Sequence, residues 1–148
     1  MKKFKFRLDT LLKVRSMHKE QAQTNFAAAE NKLLAAKALL DNIEKRLAES
    51  MKTFRDAQSQ IICIEVIKSY NCYFSKTKDE IALQVERVKV AELEKLQALR
   101  SLDEALKNLK VIEELHSKRL GQFNAELLRE EQQYLDDLGM QLYVRQVR

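Results

Sequence analysis

The sequence predicts an all-α protein: a long two-helix antiparallel coiled-coil hairpin, with the C-terminal helix overhanging the first. Three observations predict it. The 148 residues include no proline, no tryptophan and only two glycines, Gly121 and Gly139, so the chain has few places to turn. Most of the rest is Ala, Leu, Glu, Lys, Gln and Arg, the residues that lose least on entering a helix. Apolar residues recur every 3.5 positions in two separate stretches, the pattern of a left-handed supercoil.

The first helix is expected over about residues 5–58. Stepping by four and three from Ala22 meets Phe26, Ala29, Leu33, Ala36, Leu40, Ile43, Leu47, Ser50, Phe54, Ala57 and Ile61, apolar at every step but one. Lys32, Lys37, Asp41, Glu44, Lys45 and Glu49 fall between these positions, as an exposed face requires. Upstream of Ala22 the seam weakens to Leu8, Leu11, Leu12 and Val14, followed by Arg15, His18 and Lys19.

A reversal is expected at about 59–64, where the β-branched cluster Ile61, Ile62, Ile64, Val66 and Ile67 breaks the repeat. The second helix then runs over about 65–142, past Tyr70, Tyr73 and Phe74, in a single coiled-coil domain over 1–148. Its seam reads Ile81, Val85, Val88, Leu99, Leu102, Leu106 and Leu109, with Glu92 and Lys95 at polar interruptions. A turn near residue 62 places positions that add to about 124 opposite each other, so Ile43 meets Ile81 and residue 4 lies opposite residue 120. The paired rod would span roughly 90 Å and the overhang beyond Gly121 roughly 40 Å. That overhang carries Phe123, Leu127, Leu128, Tyr134, Leu135, Leu138, Met140, Leu142, Tyr143 and Val144 with no partner in this register. Such a face is either a docking site for another protein or a surface for self-association.

Charge is placed unevenly. The net charge is +5, and the first twenty residues hold seven basic groups against two acidic ones, so the remainder is neutral. A basic end suits an acidic protein surface. A nucleic-acid binder would more often carry a basic stripe along one face, and that reading stands as an alternative. Cys63 and Cys72 lack a paired-ligand pattern and read as free thiols. His18 and His116 have no further ligands arranged around them, so no metal is expected. No Gly-rich loop cradles phosphate, and no apolar run reaches the ~20 residues of a membrane span or resembles a signal peptide. A thin seam encloses no pocket of the kind enzymes use, so neither catalysis nor a cofactor is expected.

The opening Phe4-Lys5-Phe6-Arg7-Leu8, then Leu11-Leu12 and Arg15, resembles the start of the FliJ family of flagellar export proteins. The mid-chain stretch Tyr70-Asn71-Cys72-Tyr73-Phe74, leading into the second helix, resembles that family too. The resemblance implies a hairpin similar to the central stalk of rotary ATP synthases. It implies three partners: the export ATPase hexamer, the membrane protein of the export gate, and export chaperones. The ATPase-binding end would comprise Phe4, Phe6, Leu8, Leu11, Leu12, Arg15, Phe123, Leu127 and Tyr134. The gate-binding segment would comprise Tyr70, Tyr73, Phe74, Thr77 and Gln84. No cofactor, nucleic acid or direct membrane insertion is implied. The expected location is cytoplasmic, peripheral to the inner membrane through the export apparatus. The stalk of a related virulence-type secretion system is the alternative within the same resemblance.

Overall fold

The computed structural model describes residues 3–60 and 62–146, with the side chain of Gln146 outside that description. Among the described residues the chain forms two α-helices, α1 (Asp9–Gln58) and α2 (Ile64–Gln146), and is all-α, with the helices packed antiparallel. It divides into two compact units, Gln21–Asp103 and Met1–Glu20 with Glu104–Arg148.

α1 begins at Asp9 and not near residue 5. The preceding residues alternate basic and aromatic, and the exposure alternates with them: Phe4 and Phe6 are half-buried while Lys3, Lys5 and Arg7 are exposed. Period-two alternation is that of extended chain, where neighbouring side chains point to opposite sides. The helix starts where the Asp9 N–H donates to the Phe6 carbonyl at 3.2 Å and the Leu12 N–H to Leu8 at 2.9 Å. The Asp9 carboxylate lies in the first turn, where it favours the helix dipole, and meets Lys13 at 2.8 Å. At the other end of α1, the Ser59 hydroxyl donates to the Asp56 carbonyl at 2.6 Å and the Gln60 N–H to Ala57 at 3.0 Å. These bonds satisfy carbonyls that the ending helix leaves open. α2 opens on the Cys63 carbonyl, which accepts from Val66 at 3.1 Å and Ile67 at 3.4 Å. Ile61, expected both as the last seam position and within the reversal, lies outside the described residues.

In the unit Gln21–Asp103 the α1 seam is the expected one. Ala29 and Leu33 are buried, and Ala22, Phe26, Ala36, Leu40, Ile43, Leu47, Ser50, Phe54 and Ala57 are half-buried. The densest packing gathers Leu33, Val88 and Ala91, with Ala36 and Leu40 against them. The register is close to the expected one: Lys95 meets Glu30 and Phe54 meets Tyr70, pairs whose numbers add to 125 and 124.

The α2 seam meets the expectation at Ile81, Val88, Lys95 and Leu102 and differs between them. It runs Thr77, Ile81, Gln84, Val88, Ala91, Lys95, Ala98 and Leu102, a strict four-and-three repeat of buried or half-buried residues. Leu99 and Leu106 are 39% and 40% exposed and stand beside the seam, and Glu92 is exposed. The polar seam residues are satisfied locally. Gln84 Nε2 donates to the Ala36 carbonyl at 2.9 Å, across to the other helix. Thr77 Oγ1 donates to the Tyr73 carbonyl one turn back, at 2.9 Å. The Lys95 ammonium lies 2.9 Å from Glu30 Oε1 and 5.7 Å from the centre of the Phe26 ring. Alanines at 22, 29, 36, 91 and 98 let the helices come close, which is why side chains as short as Thr77 fill the seam. Lys32–Glu94 at 3.4 Å and Lys37–Glu92 at 3.0 Å bridge the flanks. Both bridges are half-exposed or more, so each adds roughly 0–1 kcal/mol and helps set the register.

In the unit of the chain termini the same α2 repeat continues through Ala105, buried Leu109, Ile112 and His116 to Phe123. From α1, Leu11, Leu12, Arg15 and Lys19 are half-buried, so the first helix keeps a seam upstream of Ala22 in which basic side chains lay their aliphatic stems. From Leu128 to Arg145 every side chain is exposed. The overhang therefore begins after Leu127, later than Gly121, because the extended tail before α1 covers Phe123.

Candidate docking surfaces

Two aromatic groups stand out, one in each unit. In the termini unit, the extended tail lays two rings on α2. Phe4 and Phe6 stack at 6.5 Å between ring centres. The His116 imidazole meets both edge-on, at 5.6 Å from Phe4 and 4.8 Å from Phe6. Phe123, one heptad after His116, lies 5.5 Å from Phe4. Edge-to-face and tilted ring pairs of this kind contribute about 0.5–1.5 kcal/mol each beyond area burial. The cluster clips the tail to α2 and borders a cleft of about 480 Å³ also lined by Leu8, Leu115, Lys5, Arg7, Arg119 and Glu126. The cleft is apolar at its walls with three basic groups and one acidic group around it. It suits an apolar anchor carried by an acidic partner segment.

Of the residues expected at the ATPase-binding end, Phe4, Phe6 and Phe123 come together here and Leu8 lines the same cleft. Leu11, Leu12 and Arg15 are half-buried in the seam, with little surface left for a partner. Leu127 is half-buried at the start of the overhang, and Tyr134 stands on it, 66% exposed. His116 was not among the expected residues. Its signal was present: it falls four positions after Ile112 on the α2 repeat and opposite the tail in the hairpin register.

In the unit Gln21–Asp103, Phe54 of α1 meets Tyr70 at 5.0 Å and Phe74 at 5.7 Å, while Tyr70 and Phe74 lie 5.9 Å apart. Tyr73 borders Phe74 at 6.0 Å and is 40% exposed. Tyr70 and Phe74 are seam residues that support Tyr73 from beneath. Thr77 and Gln84, expected with them as gate contacts, are only 4% and 5% exposed and hold the seam together. Phe54, absent from the expected set, is the ring that orders the group. Among the described residues no helix is long and apolar enough to cross a membrane.

The model of the family described as "Flagellar FliJ protein" matches residues 4–148. No curated protein matches the chain. Among solved structures, a candidate YscO homolog from Chlamydia trachomatis has the same fold. The two superpose with a TM-score of 0.62 at 15% sequence identity, over 95% of this chain and 96% of that one.

Proposed function

The chain belongs to the FliJ family of flagellar proteins, and from that membership we propose that it is a non-catalytic, stalk-like component of the flagellar type III export apparatus. The observation that carries the reading is the family match from residue 4 to residue 148, which takes in the aromatic tail, both helices and the overhang. We assign the cluster of Phe4, Phe6, His116 and Phe123, with the overhang beyond Leu127, to the export ATPase hexamer. The tail keeps Lys3, Lys5 and Arg7 exposed while its rings pack against α2, so a partner meets charge on an extended segment clipped to the helix. Tyr73, supported by Tyr70, Phe74 and Phe54, is assigned to the export gate. Export chaperones are the third class of partner. A protein of this kind works in the cytoplasm beside the inner membrane, held there by its partners.

The test is ATP turnover by the purified export ATPase with and without the chain. The intact chain should raise turnover, and the Phe4→Ala/Phe6→Ala variant should not, while keeping its helicity. Equal stimulation by both would remove the assigned end. Tyr73→Ala should weaken capture of the gate protein and leave ATPase stimulation unchanged.

A second reading, the stalk of a related secretion system, draws on the fold shared with the YscO homolog. The flagellar family match is the more specific of the two. The nucleic-acid alternative is disfavoured because Lys32, Lys37 and Lys95 are each matched by a glutamate and leave no basic stripe there.

A further inference from the structure

The four-and-three repeat of α2 continues past the start of α1: after His116 it reaches Arg119 and then Phe123. The rings of the tail pack on His116 and Phe123, while Arg119 stays exposed on the wall of the cleft that it shares with Lys5 and Arg7. Elsewhere the cations at the helix contact are matched, since Lys32, Lys37 and Lys95 each meet a glutamate of the opposite helix. Among the described residues, Lys5, Arg7 and Arg119 make no ion pair. Cations gathered at one cleft repel one another, and Glu126 on the same wall offsets only one of the three. Past Phe123 the repeat runs through Glu126, Glu130, Gln133 and Asp137, all exposed. No apolar line therefore continues in this register for a partner helix to follow, and its acidic groups repel an acidic segment laid along the overhang.

We propose that the cleft holds one apolar side chain of a partner protein, flanked by aspartates or glutamates that pair with Lys5, Arg7 and Arg119. Phe4, Phe123, Leu8 and Leu115 supply the apolar wall for the anchor. The cleft volume of about 480 Å³ lies within the range of about 300–1,000 Å³ of pockets that enclose compact ligands. The guanidinium groups of Arg7 and Arg119 are fork-shaped donors, suited to gripping a carboxylate through two parallel bonds. The occupant is a short segment and not a long helix, because the seam ends here. It crosses the cleft toward the tail, away from Glu126 and the acidic positions that follow. A nucleic acid fits less well, because successive phosphates need a basic stripe and these cations give way to Glu126 along α2. The inference rests on the assignment of this end to a partner protein, and it names the chemistry by which that partner is held.

Fluorescence polarisation of a labelled peptide, one phenylalanine between paired aspartates, tests it on the full chain. Binding should saturate with a Kd on the order of 100 µM, as suits a short segment with few contacts. Exchanging the phenylalanine for alanine, or the aspartates for asparagines, should each weaken binding about fivefold or more. Raising the salt from about 0.05 M to about 0.5 M should weaken it too. Arg7→Glu/Arg119→Glu, at two exposed positions, should lose the acidic peptide with unchanged helicity and gain a lysine-flanked one. A wild type that shows no saturation below about 1 mM would overturn the proposal. So would equal affinity for the asparagine peptide, or tighter binding of an oligothymidylate. Stimulation of the export ATPase is read on the same proteins. Peptide binding without stimulation supports the cleft and removes the ATPase as its partner. Stimulation that survives Arg7→Glu/Arg119→Glu, with no peptide bound by the wild type, overturns the cleft and keeps the ATPase.

Discussion

Replacing Leu33 by Ala tests whether the thin seam, and not helix propensity, holds the two helices together. Leu33 is 7% exposed and packs with Val88 and Ala91. Truncation removes the burial of most of a leucine side chain, a transfer loss of about 2 kcal/mol. The cavity contribution should be small, because a two-helix seam is open at its flanks and its neighbours Ala36 and Ala91 leave no sealed void. The total therefore falls at the low end of the range for Leu→Ala, about 2–3 kcal/mol. For a chain of this size that lowers Tm by about 4–12 °C. Leu93 is the matched control: it is 61% exposed, and Leu93→Ala should change stability by about 0.5 kcal/mol or less. Thermal unfolding followed by circular dichroism reads both. A Leu33→Ala cost below about 0.5 kcal/mol, or a Leu93→Ala cost as large as that of Leu33→Ala, would refute the seam assignment.

Three further outcomes are expected. Gly139→Ala, with open space around the new Cβ, should stabilise α2 by about 0.5–1 kcal/mol, read as slower amide exchange across the overhang. Gln84→Ala should cost about 1 kcal/mol in denaturant unfolding, the value of one cross-helix hydrogen bond, since the Ala36 carbonyl keeps its own helical partner. Lys13 and Lys45 are hydrogen-bonded to Asp9 and Asp41, and these bonds, followed by the carboxylate charges, raise both ammonium groups above their ordinary pKa of 10.5. A raised pKa means that the stability they lend is fully present below about 10.5 and is lost as pH climbs through the folded value. Alkaline titration followed by circular dichroism should show that loss diminished in Lys13→Met/Lys45→Met.

The first helix was legible in the sequence because its seam is apolar at nearly every step. The α2 seam was legible only in part, at Ile81, Val88, Lys95, Leu102 and Leu109, for a physical reason. Its other positions are held by Thr77, Gln84 and several alanines, which bury well against a close neighbouring helix but carry little hydrophobic signal. Its most conspicuous leucines, Leu83, Leu93, Leu96 and Leu99, stand outside the seam. Reading by hydrophobicity drew the pattern toward Leu99 and Leu106, whereas the strict spacing led to Ala98 and Ala105. Thr77 and Gln84 entered the gate set through the family resemblance, and their polar side chains gave no sign in the sequence that they are buried in the seam. The tail was legible in its rings, and the hairpin register already placed it opposite the region of residue 120. Its role as a clip was not, because that depends on His116, an aromatic without an apolar signature. Gly121 looked like the start of the overhang, yet the tail reaches past it to Phe123.

The most direct test of the hairpin is one distance. Spin labels at Asn42 and Ala82, both exposed and opposite each other in the register, are introduced into a chain whose Cys63 and Cys72 are replaced by serine, then diluted with unlabelled protein. Antiparallel helices packed within one chain put the labels within about 20 Å of each other, given interaxial distances of about 10 Å. An uninterrupted helix would separate them by about 60 Å, and that result would contradict the fold on which every assigned surface rests.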